Sequence, residues 1–478
     1  MQQVIRAPTH LTGAVFAIVA VLAAALGIAV AVGSYAGIGA VLFAAVLLWS
    51  ALAWRFGVIA LLLLACVDGI IKHVAPSTGT YLLKDIILVV VALGMLVWVA
   101  VDPEHHPRGR WSGAWPWMLY FGFLLSQAFA PANGVSTALA GFRAHALFAL
   151  LFVIGVIYFD SARRFVGTAN AVIGGIALAA LAGVIQFAMG AAWLRLSSGL
   201  AAASLHYATY LPAATNLMGG SVLMYRAYGT LVDPAALGLA CGVGILFSAA
   251  ALARACGLGR LALLGAMLVM GLGLLFSGSR AGVMGTVVGM AALALLSLSH
   301  RSMRVVAYLG IAFVLVALPL AARVSGGAVE ERLLSQQSAA YAAATRERAN
   351  DIALAALPRR PFGAGLGTTG AGGIFRNAGG GPLALDNVYF AYLYETGFVG
   401  LALLVLVQAS ILVLTLKCAL VAPELAVRAT YAGMAAAQVS LLAAAFLTQG
   451  AFDYAPVAQI FWLFSGAVAL PQRVSSGA

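Results

Sequence analysis

Continuous apolar runs of about 20 residues, separated by shorter polar stretches, recur along nearly the whole chain. A helix of this length crosses the ~30 Å hydrocarbon core of a bilayer. Strands of a membrane barrel would instead alternate apolar and polar positions over ~10 residues. The pattern therefore predicts an all-α, polytopic membrane protein with about fourteen transmembrane helices. We place them near residues 10–32, 34–54, 57–72, 81–101, 113–130, 144–160, 168–190, 233–252, 259–277, 281–299, 305–321, 387–416, 430–447 and 455–470.

Basic residues mark the connections on one side of this predicted array. If the N-terminus is cytoplasmic, every connection on its side contains arginine or lysine, from Arg55 to Arg428, and Arg473 follows the last span. The positive-inside rule then predicts an even number of spans with both termini in the cytoplasm.

Two longer polar segments, 191–232 and 322–386, fall on the opposite face. The first half of segment 322–386 has helical composition as far as Pro358 and Pro361, and the glycine-rich stretch that follows predicts irregular backbone. We expect a single membrane domain over 1–478, in which these two segments form an extracytoplasmic, helical and loop-rich cap.

Composition excludes a soluble protein, because only 8% of the 478 residues are charged and 63% are hydrophobic. Soluble domains carry roughly 25% charged residues. The net charge of +12 is accounted for by basic loops, and no nucleic-acid-binding motif is present. The four cysteines lack ligand spacing and segment 322–386 contains no histidine, so we expect neither disulfides nor a metal site.

Charged residues at membrane depth are costly, so they are candidates for function. Several cluster at the predicted outer boundary: Asp68, Lys84, Asp85, Arg143, Arg226, Asp233, Arg280, Asp386, Glu395 and Asp453. Segment 322–386 adds Arg346, Arg348, Asp351, Arg359, Arg360 and Arg376.

Arg280 is the sharpest of these candidates, because the sequence SGSRAG leaves only a tight turn between two apolar runs. A guanidinium offers planar, bidentate donors that suit phosphate oxygens. The alternative is an interfacial arginine that snorkels to lipid headgroups. Arg226, in YRAYGTLVDPAALG, fits phosphate binding and a peripheral salt bridge equally well, whereas Asp233 and Pro234 are typical of a helix N-terminus.

Asp386 and Asn387 begin the predicted span 387–416. Asp386 fits two roles, an N-cap of that helix or a general base that takes a proton from a sugar hydroxyl. For Glu395 we favour a structural role, in which it pairs with an arginine or supports the helix break that Thr396 and Gly397 predict.

Four passages together resemble the O-antigen ligase and O-antigen polymerase superfamily. They are YLLKDIILV, RAYGTLVDPAALG, SGSRAGVMGTVVGMAAL, and PFGAGLGTTG followed by LDNVYFAYLYETGFVGLALL. The resemblance covers roughly residues 80 to 450, and its most specific feature is the long loop between the serine-arginine turn and the Asp-Asn helix.

This resemblance implies a bacterial inner-membrane glycosyltransferase of the C type that works on the periplasmic face. The donor would be a glycan linked to undecaprenyl pyrophosphate, and no metal, cofactor or nucleic acid would be needed. Arg226 and Arg280 would bind the pyrophosphate, and Asp386 with Arg280 would be catalytic. Further supporting candidates are Lys84, Arg143, Arg346, Arg348, Asn387 and Glu395.

One position departs from the family pattern, since the ligases carry a histidine where this chain has Asp386. The departure favours a polymerase that joins lipid-linked repeat units into O-antigen, capsule or exopolysaccharide, with a chain-length regulator as an expected partner. The alternative within the superfamily is a ligase that transfers glycan to an acceptor such as lipid A-core.

Transport is the alternative of another class. A secondary transporter would show repeated halves and midplane charges. A flippase for lipid-linked sugars would have short loops on both faces. The absence of a repeat and the gathering of charge at one boundary favour the enzyme.

Overall fold

The computed structural model describes residues 44–50, 53–74, 78–101, 114–129, 134–190, 226–297, 336–369 and 385–469, together with single positions between 305 and 333. The chain divides into two compact units, one formed by residues 1–61 and 82–106 and the other by 62–81 and 107–478. The predicted span 10–32, most of 34–54 and 305–321, and residues 191–225 and 370–384 lie outside the described residues.

The smaller unit contains parts of two helices, α1 (Trp54–Val74) and α2 (Thr78–Val101). The ring centroids of Trp54 and Trp98 lie 5.8 Å apart. The Arg55 guanidinium carbon lies over the Trp98 ring, 4.9 Å from its centroid. This cation–π contact gives the basic residue a partner beside an apolar run. Lys84 and Asp85 of α2 are both buried in this unit.

The long regular elements in the described part of the larger unit are helices. Its helices are α3 (Ala114–Phe129), α4 (Val135–Phe142), α5 (Leu150–Tyr158), α6 (Ala162–Met189), α7 (Pro234–Ala251), α8 (Gly257–Phe276), α9 (Arg280–Leu296), α10 (Gln336–Ala356), α11 (Val388–Val421), α12 (Leu425–Ala444), α13 (Gly450–Asp453) and α14 (Val457–Ser465). A π-turn, Arg143–Leu147, joins α4 to α5.

Helix α7 forms the centre of the larger unit. It packs against α6, α8, α9 and α12, and nearly all of its residues are buried. A helix that is apolar on every side is expected at such a position. Its start follows the sequence prediction, because the Asp233 side chain accepts from the backbone N–H of Ala235 (2.6 Å) and Ala236 (3.3 Å) and Pro234 takes the first helical position.

Seven of the described helical stretches are long and apolar enough to cross a membrane, and α9 and α14 are shorter apolar helices. Large apolar side chains remain exposed along them, among them Leu258, Val101 and Val421, each more than 75% exposed. Apolar exposure on this scale marks a surface that meets something other than water. The all-helical, polytopic prediction is therefore confirmed, while the count of about fourteen spans stays a prediction.

Segment 322–386 has, in its described part, the predicted order of helix, then irregular backbone. Helix α10 ends at Ala356, a 3₁₀ turn covers Leu357–Arg359, and turns without a regular element run from 360 to 369. Pro358 and Pro361 fall at this transition, as expected from the missing N–H of proline.

Helix α11 is interrupted at Gly397, whose φ of 68° lies in the left-handed region. The interruption releases carbonyl oxygens from the helical pattern. The N–H of Ala364 donates to the carbonyl of Tyr394 (2.7 Å), and the N–H of Gly365 donates to that of Glu395 (2.9 Å). Buried backbone groups need partners, so the 363–369 turn and the break in α11 stabilise each other.

Candidate functional site

The turn between α8 and α9 holds Arg280 at a helix N-terminus. The Ser279 side chain caps α9 by accepting from the N–H of Gly282 (3.1 Å), and the Ser277 hydroxyl donates to the carbonyl of Leu274 (2.7 Å). Gly238 of α7 lies against this turn so closely that a Cβ there would collide with Ser279. The two serines therefore fix the turn, and Arg280 projects from a rigid position at the end of an apolar helix.

Arg226 lies beside the same turn. Its Nε donates to the carbonyl of Ser277 (2.9 Å), and the N–H of the next residue, Ala227, donates to the carbonyl of Phe276 (2.9 Å). The structure thus brings together the two arginines that the sequence placed 54 residues apart.

A third arginine joins them from α10. Arg346 and Arg226 lie close enough to Arg280, which is partly removed from solvent, for their positive charges to act on its guanidinium. The Arg346 Nη2 donates to the carbonyl of Leu447 (3.3 Å), and its buried Nε has no hydrogen-bond partner among the described residues. Like charges at short range repel one another. The arrangement is therefore suited to an anion that binds among the three guanidinium groups.

Asp386 is the carboxylate next to this cluster. Its Oδ2 lies 4.0 Å from the Arg346 Nε, and its side chain is 64% exposed. The predicted capping role belongs to its neighbour, because the Asn387 side chain accepts from the N–H of Tyr389 (2.9 Å) and Phe390 (3.3 Å). Of the two roles considered for Asp386, the cap of α11 belongs to Asn387, and the proton-accepting role stays a prediction.

Glu395 is fully buried, and its contacts differ from the predicted arginine pair. Its carboxylate lies 3.0 Å from His145 Nε2 and accepts from the N–H of Gly367 (3.0 Å) and from the N–H and hydroxyl of Thr369 (2.7 and 2.6 Å). The other ring nitrogen of His145 faces Asp453 Oδ1 at 3.1 Å. Glu395 thus supports the break in α11, as predicted, but with a histidine and a turn as its partners.

Sequence reasoning missed His145 altogether and treated Asp453 only as a boundary charge. The available signal was a histidine within the apolar stretch 135–158, because an ionisable residue there needs a partner. Each ring nitrogen of His145 faces a different carboxylate, so His145, Glu395 and Asp453 are not arranged to chelate one ion. Throughout the described ranges, no group of three or more His, Cys, Asp or Glu side chains is arranged to hold a metal ion.

The remaining candidates are distributed over the smaller unit, the π-turn and helix α10. Lys84 belongs to the smaller unit. Arg143 lies in the π-turn two residues before His145. Arg348 is exposed on α10, and Arg376 is outside the described residues. A role for Lys84, Arg143 or Arg348 in substrate binding stays a prediction.

These features define a polytopic helical membrane protein with a cluster of cationic side chains where apolar helices end. Residues 265–405 match the family model described as O-antigen ligase, so this part of the chain is an O-antigen ligase family domain. The matched segment contains Arg280, Arg346, Asp386 and Glu395, whereas Arg226 and His145 lie outside it. No curated protein and no solved structure matches the chain significantly.

Proposed function

We propose that this protein polymerises undecaprenyl-pyrophosphate-linked oligosaccharide repeat units into O-antigen, capsule or exopolysaccharide at the periplasmic face of the inner membrane. The observation that carries the proposal is the convergence of Arg226, Arg280 and Arg346 at the α8–α9 turn. A diphosphate is strongly negative, and guanidinium groups bind its oxygens in bidentate fashion.

In the proposed reaction, a hydroxyl oxygen of the acceptor sugar forms a bond to the anomeric carbon of the donor glycan. The bond from that carbon to the diphosphate oxygen breaks, and its electron pair leaves with undecaprenyl pyrophosphate. Asp386 takes the proton of the attacking hydroxyl. A single displacement of this type inverts the anomeric configuration.

The arginines act mainly on the leaving group. Negative charge on the bridging oxygen grows as the glycosidic bond breaks, and fixed cationic donors stabilise that charge without reorganising. Asp386 lies on the Arg346 side of the cluster, so that a hydroxyl near the diphosphate would also be near a carboxylate. Geometry of this kind is the first requirement for a general base.

The second candidate is a ligase that transfers the lipid-linked glycan to an acceptor such as lipid A-core. The description of the matched family model favours it. Asp386, at the position where the ligases carry a histidine, favours the polymerase. Both candidates use the same donor and the same arginine cluster, and they differ in the acceptor.

The glycan profile of a strain lacking this gene separates the candidates, with free polymer and lipid-linked intermediates extracted in parallel. For a polymerase, single repeat units accumulate on lipid and polymer disappears. For a ligase, full-length polymer stays on undecaprenyl and its acceptor remains bare. An unchanged profile would contradict both and make transport the leading account. Complementation by the intact gene is the control.

A further inference from the structure

His145, Glu395 and Asp453 form a buried trio that the proposed reaction leaves without a role. Their side chains are at most 9% exposed, and they come from three different elements, the π-turn, α11 and α13. Burying a histidine with two carboxylates costs desolvation free energy, and apolar residues of similar size often stabilise a fold as well or better. Stability alone therefore does not account for the trio. A role in orienting the groups that it contacts does.

The trio holds one end of segment 445–453, which runs from the end of α12 through α13. Asp453 binds His145 directly. The Nε2–H of Gln449 donates to the Thr369 hydroxyl (3.2 Å), and that hydroxyl donates to the Glu395 carboxylate (2.6 Å). Segment 445–453 is thus fixed to the trio at two points, four residues apart.

The other end of the same segment contacts the arginine site. The carbonyl of Leu447 accepts from Arg346 (3.3 Å). The carbonyl of Ala445 accepts from the N–H of Val388 (2.9 Å), the first helical residue after Asp386 and Asn387. A displacement of segment 445–453 would therefore move Arg346 and the start of α11 together.

We propose that His145, Glu395 and Asp453 are positioning residues, which hold segment 445–453 so that Arg346 and Asp386 keep their places in the diphosphate site. The proposal rests on the proposed function, because it takes the arginine cluster to be the diphosphate site. The described hydrogen bonds connect the three residues to Arg346 and to the start of α11 through segment 445–453, at Leu447 and Ala445. Contiguous contacts of this kind can carry coupling between distant positions.

Inorganic pyrophosphate is a suitable probe, used with the full-length protein purified in detergent. We expect His145→Phe, which removes both contacts of the ring, to weaken pyrophosphate binding about tenfold. Thr369→Val tests the same route with a smaller lesion, since it keeps the side-chain shape and removes only the hydroxyl. Thr369→Ser retains the hydroxyl and should restore the affinity.

Thr368→Val is the matched control. Its hydroxyl is equally buried in the same turn but donates to the carbonyl of Gly365 (2.8 Å), not to Glu395. We expect its pyrophosphate affinity to stay within about twofold of wild type. The thermal midpoint of each variant without ligand is measured in parallel to separate loss of folding from loss of binding.

An Arg346→Ala background decides whether the trio acts through Arg346. There, Thr369→Val should cause little further loss, because two changes along one route are not additive. If the Thr369 and His145 variants lower only the thermal midpoint, or if Thr369→Val has its full effect without Arg346, the positioning proposal is overturned while the proposed function stands. If the wild-type protein fails to bind pyrophosphate, the diphosphate site itself is wrong and both proposals fall.

Discussion

At the residue scale, the neighbouring side chains of Asp386 and Asn387 in the candidate site have different roles. Asn387 caps α11, while Asp386 turns its carboxylate to solvent beside Arg346. The separation matters because a capping side chain is already engaged with backbone N–H groups. Asp386 therefore does not supply the capping hydrogen bonds of α11, and its carboxylate lies beside Arg346.

Substitutions at these two positions should therefore separate activity from stability. Asn387→Ala removes the cap and should lower stability by about 1 kcal/mol, whereas Asn387→Asp retains an acceptor and should not. Asp386→Asn should leave the thermal midpoint unchanged and lower the glycan-transfer rate by about 10²-fold or more, because it removes the proposed base. Thermal unfolding in detergent and a transfer assay measure the two effects. Full activity in Asp386→Asn would exclude the base role.

Sequence reasoning found the arginines and missed the histidine for one physical reason. Arg226 and Arg280 lie in polar turns that interrupt apolar runs of the sequence. They can therefore be recognised as candidates without knowledge of the packing. His145 is recognisable only through Glu395 and Asp453, which lie 250 and 308 residues further along the chain. The alignment of these three depends on how the π-turn, α11 and α13 pack, and no local pattern encodes it.

At the element scale, the break in α11 shows how a glycine shapes the site. Thr396 and Gly397 predicted the break, and the structure adds what fills it, the 363–369 turn. A Cβ at Gly397 would collide with the carbonyl of Pro361. The φ of 68° would also strain any residue other than glycine.

Gly397→Ala should consequently reduce the amount of folded protein in the membrane and the thermal midpoint of what remains. We expect a destabilisation of at least ~1–2 kcal/mol, from the left-handed backbone and the steric collision together. Gly174→Ala is the matched control, since Gly174 lies in α6 and a Cβ there meets nothing within 4 Å. That variant should be neutral or slightly more stable. Equal behaviour of the two variants would show that the break is not needed.

At the scale of the whole molecule, the positive-inside pattern predicts an orientation that two exposed positions can test. Cys256 is exposed in the connection between α7 and α8, which the pattern places in the cytoplasm. Phe362 is 64% exposed in the 360–369 turns, which the pattern places on the opposite face. The two sites should therefore react from opposite sides of the membrane.

A membrane-impermeant maleimide should label the native Cys256 only after cells are permeabilised. A Phe362→Cys variant, with Cys256 replaced by serine, should react in intact spheroplasts. The buried Cys66 and Cys241 serve as internal controls, since they should remain unlabelled in both preparations. Labelling of Cys256 from outside would reverse the orientation and move the arginine cluster to the cytoplasmic face.

The most direct test of the arginine cluster as the centre of glycan transfer is the turnover rate of purified protein in liposomes with a lipid-linked repeat unit as substrate. Arg280→Ala should lower kcat by about 10²–10³-fold, the loss typical of a donor that stabilises charge in the transition state. Arg260→Ala, which removes an exposed arginine at the other end of the α8 segment, should stay within about twofold. Polymer formed by the Arg280→Ala protein at the wild-type rate would contradict the account.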